Sequence, residues 1–222
     1  MRLFYATREV LLFIKINMTR ITHILIAAVT ITMLTQCYVN DSRQEVDIPL
    51  DNICVGDIAF RRGEGITSTI VLYKDSEGQY SHVGVVAKSD SGLVVVHAVP
   101  GDDPNQEGVD IVRAEFLNHF FASDKATKGE IMRLALDSTQ QNAINRYALE
   151  KARQKIEFDH QYDLDDTTRL YCTELLHNAF DRAGINITEG RISNLSVPGK
   201  QYDLIMPSDI HKNANLKTVF IF

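Results

Sequence analysis

Leu170-Tyr171-Cys172-Thr173-Glu174-Leu175-Leu176 is the stretch on which the reading of this chain turns. It follows an acidic, turn-like run, Phe158 to Asp166, and opens an apolar helix that continues to Ala183 and stops at Gly184. A thiol at a helix N-terminus is biased toward thiolate by the helix dipole. Far upstream, Ser81-His82-Val83-Gly84-Val85-Val86 carries a histidine into an apolar run with strand character. An imidazole brought beside that thiol can hold or move its proton. The pair is the minimal equipment for nucleophilic cysteine chemistry.

The histidine belongs to a hairpin. Strands near 81–87 and 93–99 flank Lys88-Ser89-Asp90-Ser91-Gly92, a run of turn residues. His82, Gly84 and Val86 share one face of the first strand, and Leu93, Val95 and His97 share one face of the second. A hairpin symmetric about the Ser89–Asp90 bond makes His82 and His97 direct cross-strand partners, with Cβ atoms about 5 Å apart. Three roles follow. Cys172 is the nucleophile. His82 is the general base, and later the acid that protonates the leaving group. His97 orients His82 through a ring-nitrogen hydrogen bond, which needs only an acceptor. Backbone N–H groups at the start of the Cys172 helix would meet an oxyanion.

Taken singly, each residue also has a structural role. A cysteine at the start of an apolar helix packs well in a core, and a strand histidine is usually a satisfied core residue. Zinc is the other chemical option for one cysteine and two histidines. No C-x-x-C or H-x-x-x-H spacing supports it, so neither a metal nor a cofactor is expected. Arg61-Arg62-Gly63-Glu64-Gly65 lacks the spacing and lysine of a phosphate loop. The run Phe158 to Asp166 lacks the central glycine and terminal glutamate of a calcium loop and reads as a solvated loop.

The remaining pattern is that of an ordinary globular chain. The 222 residues are 45% hydrophobic and 23% charged, with a net charge of -6. No basic stretch interleaved with aromatics occurs, so no nucleic-acid partner is expected. Val55 to Phe60 reads as a turn into a strand, Val109 to Val112 and Glu130 to Leu134 as further strands, and Asp137 to Lys155 as a capped helix. The segment Thr67 to Tyr73 fits helix or strand, and the tail from Ile192 is mixed.

Residues 1–37 read as a leader. Ile21 to Leu34 is uncharged and largely apolar behind Arg2, Arg8, Lys15 and Arg20, a basic flank followed by an export-type core. Met18-Thr19-Arg20 opens a more conventional signal than Met1 does. Leu34-Thr35-Gln36-Cys37 resembles a bacterial lipobox, with Gln36 where a small residue is usual. Lipidation at Cys37, giving membrane attachment, stands beside simple cleavage there and beside an uncleaved anchor. Residues 38–49 read as a polar tether and 50–222 as the domain. Of three cysteines, Cys54 lies in an apolar context and reads as structural, which leaves Cys172 as the thiol to explain.

Four segments carry a family resemblance: Val55-Gly56-Asp57-Ile58-Ala59-Phe60, Tyr80 to Val86, Val96-His97-Ala98 with Gly108-Val109, and Tyr171 to Leu175. They resemble the NlpC/P60 superfamily of papain-like cysteine hydrolases, in its circularly permuted YiiX/YebB-like branch, over roughly residues 50–185. The cysteine helix here follows the histidine strand, which is the permuted order. The resemblance implies an α+β, circularly permuted papain-like fold with a small antiparallel sheet or barrel packed on helices. It implies Cys172 as nucleophile, His82 as base and His97 in the third position, where some members carry Glu. It also implies a hydrolase cutting an amide in a peptidoglycan peptide, and with the leader this reads as an exported, bacterial cell-envelope enzyme. An acylated small substrate, met by a lipid acyl hydrolase or acyltransferase, is the alternative. A ligand-binding module without catalysis is a second.

Overall fold

The computed structural model describes residues 46–100, 110–197 and 200–222. The expected leader with Cys37, most of the tether and the turn after Pro100 lie outside the described residues. Eight strands are present among them: β1 (Ile58–Arg62), β2 (His82–Ser89), β3 (Gly92–Val99), β4 (Ile111–Phe116), β5 (Lys128–Arg133), β6 (Ser193–Val197), β7 (Lys200–Leu204) and β8 (Lys217–Ile221). The helices are α1 (Ile66–Lys74), α2 (Leu117–Phe120), α3 (Ser138–Gln154), α4 (Cys172–Asp181) and α5 (Pro207–His211). Six strands form one sheet in the order β4-β3-β2-β1-β5-β8, and β6 and β7 form a separate hairpin. Every pairing between these strands is antiparallel.

Local chemistry sets the helix ends. Asp137 accepts the Gln140 N–H at 2.8 Å while the Gln140 side chain accepts the Asp137 N–H at 3.0 Å, a capping box that starts α3. After α4 the chain turns at Gly184, whose φ of +73° suits a residue without Cβ. The loop before α4 is less solvated than expected. Asp159 is fully buried, and its carboxylate accepts the N–H groups of Gln161 and Asp163.

Strand alternation divides the core into two layers. Ile58, Phe60, Val83, Val85, Val94 and Val96 pack with Ile144 and Ala148 of α3 and with Leu175, Leu176, Ala179 and Phe180 of α4. Ala59, Val86, Val95 and Ile131 point the other way, onto Leu117, Phe120 and Phe121, with Ile48 in the same layer. Each such Leu, Val, Ile or Phe contributes about 1.5–3 kcal/mol relative to exposure. On α3 the fully buried residues are Ile144 and Ala148, with Tyr147, Leu149 and Ala152 partly buried against the same layer.

The β2–β3 register corrects the expectation. Val85 pairs with Val96 and Ser89 with Gly92, so the loop is Asp90-Ser91 and Gly92 takes φ +124°. The Ser89 hydroxyl holds this turn, donating to the Gly92 carbonyl at 3.0 Å and accepting the Ser91 N–H at 3.2 Å. His82 is therefore not the direct partner of His97. Continued along the ladder, the register sets Gly84 opposite His97. The offset moves by an even number of residues, so both histidines stay on one face as diagonal neighbours.

The segment 67–73 is helical, and Ile66 and Tyr73 are exposed there. The mixed tail resolves into β6, β7, α5 and β8, and β8 closes the sheet edge at β5. No described helix is long and apolar enough to cross a membrane.

Candidate active site

Helix α4 packs across β2 and β3 and delivers Cys172 to the end of the sheet where β2 begins. The Cys172 sulfur meets the backbone N–H groups of Val83, Thr173 and Cys172 itself. Val83 is the residue after His82, so the sulfur lies against the backbone of the strand that carries that imidazole. No hydrogen bond joins the Cys172 and His82 side chains; such catalytic contacts are often long or poorly aligned outside the reacting complex.

His82 and His97 do meet. His82 Nε2 and His97 Nδ1 lie 2.7 Å apart, and the rings are edge to face with centroids 5.0 Å apart. Both rings also pack on Phe120. The diagonal contact depends on Gly84. A Cβ there would stand 3.0 Å from the Cβ of His97, 2.9 Å from the Val96 carbonyl oxygen and 2.4 Å from a Val95 methyl.

A fourth residue, absent from the sequence reading, completes the line. Glu115 Oε1 lies 2.9 Å from His97 Nε2, close but without the alignment of a full hydrogen bond. Its carboxylate also engages Lys125 at 3.2 Å and Arg61 at 3.8 Å. The missing signal was strand length. β4 extends to Phe116, beyond the expected Val112, and Glu115 lies two positions past Arg113, the direct partner of His97.

Electrostatics fix the protonation of this chain of groups. Burial pushes the Glu115 carboxyl up, but His97, Lys125 and Arg61 outweigh it and leave the group well below the usual carboxylate range. Burial pushes His97 down to about 4 against the opposing pull of Glu115. Burial, then the Arg61 charge, holds His82 well below an ordinary histidine. At neutral pH Glu115 is ionised and both imidazoles are neutral. A carboxylate only accepts, so His97 carries its proton on Nε2 and leaves Nδ1 as a lone pair. His82 Nε2 then donates to that lone pair, which leaves His82 Nδ1 unprotonated.

The thiol departs from the expected bias. Its backbone N–H neighbours and Arg61 do lower the Cys172 pKa, but burial dominates and pushes it up to about 11. Cys172 and His82 thus rest as neutral thiol and neutral imidazole. Two residues into α4, burial pushes Glu174 up to about 8, with Asp159 and Asp166 adding to the effect. It is a neutral acid at pH 7, not the ionised first-turn carboxylate that its position suggests. Cys54 is half-buried and, like Cys172, free.

A family profile described as a permuted papain-like amidase enzyme, YaeF/YiiX, C92 family, matches residues 52–219. The chain belongs to this family. It is accordingly a cysteine hydrolase of the papain-like amidase kind, and its mixed α+β architecture with a large antiparallel sheet is the permuted papain-like fold. Among solved structures it is similar to the crystal structure of the metalloprotein yiiX from Escherichia coli O157:H7. That likeness has a TM-score of 0.61 and 20% identity, over 75% of this chain and 96% of the other. No curated protein matches the chain. In this YaeF/YiiX-family chain the cysteine helix α4 comes after the histidine strand β2, as the permuted order requires.

Proposed function

We propose that this YaeF/YiiX-family protein is an exported cell-envelope hydrolase that cuts an amide bond of a wall peptide with Cys172, His82 and His97. One observation carries the reading. The Cys172 sulfur lies against the N–H of Val83, the residue after His82 on β2, and His82 Nε2 is held by His97 at 2.7 Å.

In this reading the thiol proton passes to His82 Nδ1 as sulfur attacks the carbonyl carbon. The oxyanion is met by N–H groups at the α4 start. The C–N bond then breaks, His82 returns the proton to the leaving amine, and a thioester on Cys172 remains. Water, deprotonated by His82, hydrolyses it. Burial makes an imidazolium at His82 costly. The line through His97 to the Glu115 carboxylate offsets part of that cost when the charge forms.

The solved neighbour is described as a metalloprotein. Here His82 Nε2 and His97 Nδ1 lie 2.7 Å apart, directed at each other.

Export rests on the basic and apolar pattern ahead of Cys37. The test is digestion of purified wall peptides with wild type and Cys172→Ala, together with fractionation of cells expressing wild type and Cys37→Ala. Amide cleavage that survives Cys172→Ala, or a cytoplasmic protein with its first 36 residues intact, contradicts the respective half.

A further inference from the structure

Arg113 is the cation of this face that the histidine line leaves unused. It stands on β4 directly opposite His97, so it leaves the sheet on the face shared by His82, His97 and Glu115. With Ser81, His82, Arg61 and Lys125 it lines a cavity of about 300 Å3. The other two cations are engaged. Glu115 pairs with Arg61 and Lys125, and Arg61 also donates to the Phe120 carbonyl at 2.8 Å while lying on that ring. Arg113 differs, because its Nε is buried with no hydrogen-bond partner. A buried donor left unmade is costly, and a guanidinium presents a planar fork that fits a carboxylate or phosphate. The acids Glu64 and Asp124 also line the cavity, so it is not a broad cationic surface, and anion recognition falls to one fork.

We infer that the substrate carries an anionic group, a carboxylate or a phosphate, near the bond to be cut, and that Arg113 binds it. The inference rests on reading Cys172 and His82 as the reacting pair, which fixes where the bond lies. It also links binding to chemistry. The Arg113 charge disfavours protonation of His82 and His97. An anion on the guanidinium relieves that effect, so His82 becomes a better base once substrate is seated.

The test is titration with small anions. Succinate, inorganic phosphate and neutral succinamide are added to wild type, Arg113→Gln and Arg113→Lys. Two readouts are taken: the melting temperature, and the rate of Cys172 alkylation by iodoacetamide. A ligand bound to the folded state raises the melting temperature by mass action. Succinate or phosphate should stabilise wild type and slow alkylation, and succinamide should do neither. Arg113→Gln should need about tenfold more anion, the size of one charge-assisted hydrogen bond, with Arg113→Lys between. Whichever anion acts at lower concentration identifies the group. Succinamide acting as well as succinate, neither anion acting on wild type, or an unchanged response in Arg113→Gln and Arg113→Lys would overturn the inference. The melting readout needs no chemistry at Cys172. If Cys172→Ala still cleaves wall peptide while succinate stabilises wild type through Arg113, the anion site stands and the cysteine hydrolase mechanism falls.

Discussion

Gly84 lies across the β2–β3 ladder from His97, and only a hydrogen fits at its side-chain position. Its absent Cβ is what lets the His97 ring lean diagonally to His82. Gly84→Ala should destabilise the protein by about 1–3 kcal/mol through overpacking against Val95 and the Val96 carbonyl. It should also lower turnover by parting the two rings. Denaturant midpoints and initial rates check this, and wild-type values for both would contradict it.

Glu115 sets the tautomers, so its loss should act on rate more than on binding. Glu115→Gln can offer an NH2 to His97 and admit the opposite tautomer. It should lower kcat by less than the roughly 10² to 10⁴ expected for loss of the base itself, with KM little changed. Glu115→Asp should recover part of the loss, since it restores a carboxylate. An unchanged kcat in Glu115→Gln would remove Glu115 from the line.

The Cys172 thiol, pushed up to about 11 by burial, should alkylate ever faster as pH rises through neutrality toward that value. A thiolate–imidazolium pair would instead give a plateau well below pH 8. Iodoacetamide rates mapped to Cys172 by mass spectrometry across pH 5 to 10, approximately, separate the two.

Glu174 is pushed up to about 8 from an ordinary value of 4.5, so the unfolded chain ionises it while the folded chain keeps the proton. Its effect on stability is absent below about 4.5, grows as pH rises to about 8, and is constant beyond. Glu174→Gln should therefore stabilise the protein progressively over that window and change little below it. Unfolding free energies of the two proteins at pH 4 and pH 8, approximately, test the sign. A variant that is less stable at the higher pH refutes it.

Much of this site was legible because it depends on face and order. Strand period together with a symmetric turn places His82 and His97 on one face, and the even shift to the observed register leaves that intact. The register itself was not legible, because Ser89, Asp90, Ser91 and Gly92 allow more than one turn, and the choice rests on the Gly92 backbone and the Ser89 hydroxyl. Glu115 was hidden because in Arg113-Ala114-Glu115-Phe116 the charged residues take the face shared with His97 while Phe116 is exposed, the reverse of the usual pattern. The α1 helix gave no period because it buries none of its residues. The raised thiol pKa arises from tertiary burial, which a helix N-terminal position does not reveal.

The most direct test of the account is trapping the acyl-enzyme. Wild type mixed with p-nitrophenyl acetate and quenched early should carry an acetyl group on the peptide containing Cys172, with a burst of nitrophenol. His82→Ala should slow its formation by roughly 10² to 10⁴, and His97→Ala by less. An acetyl group on Cys54 alone, or full-rate acetylation of Cys172 in His82→Ala, would contradict the account.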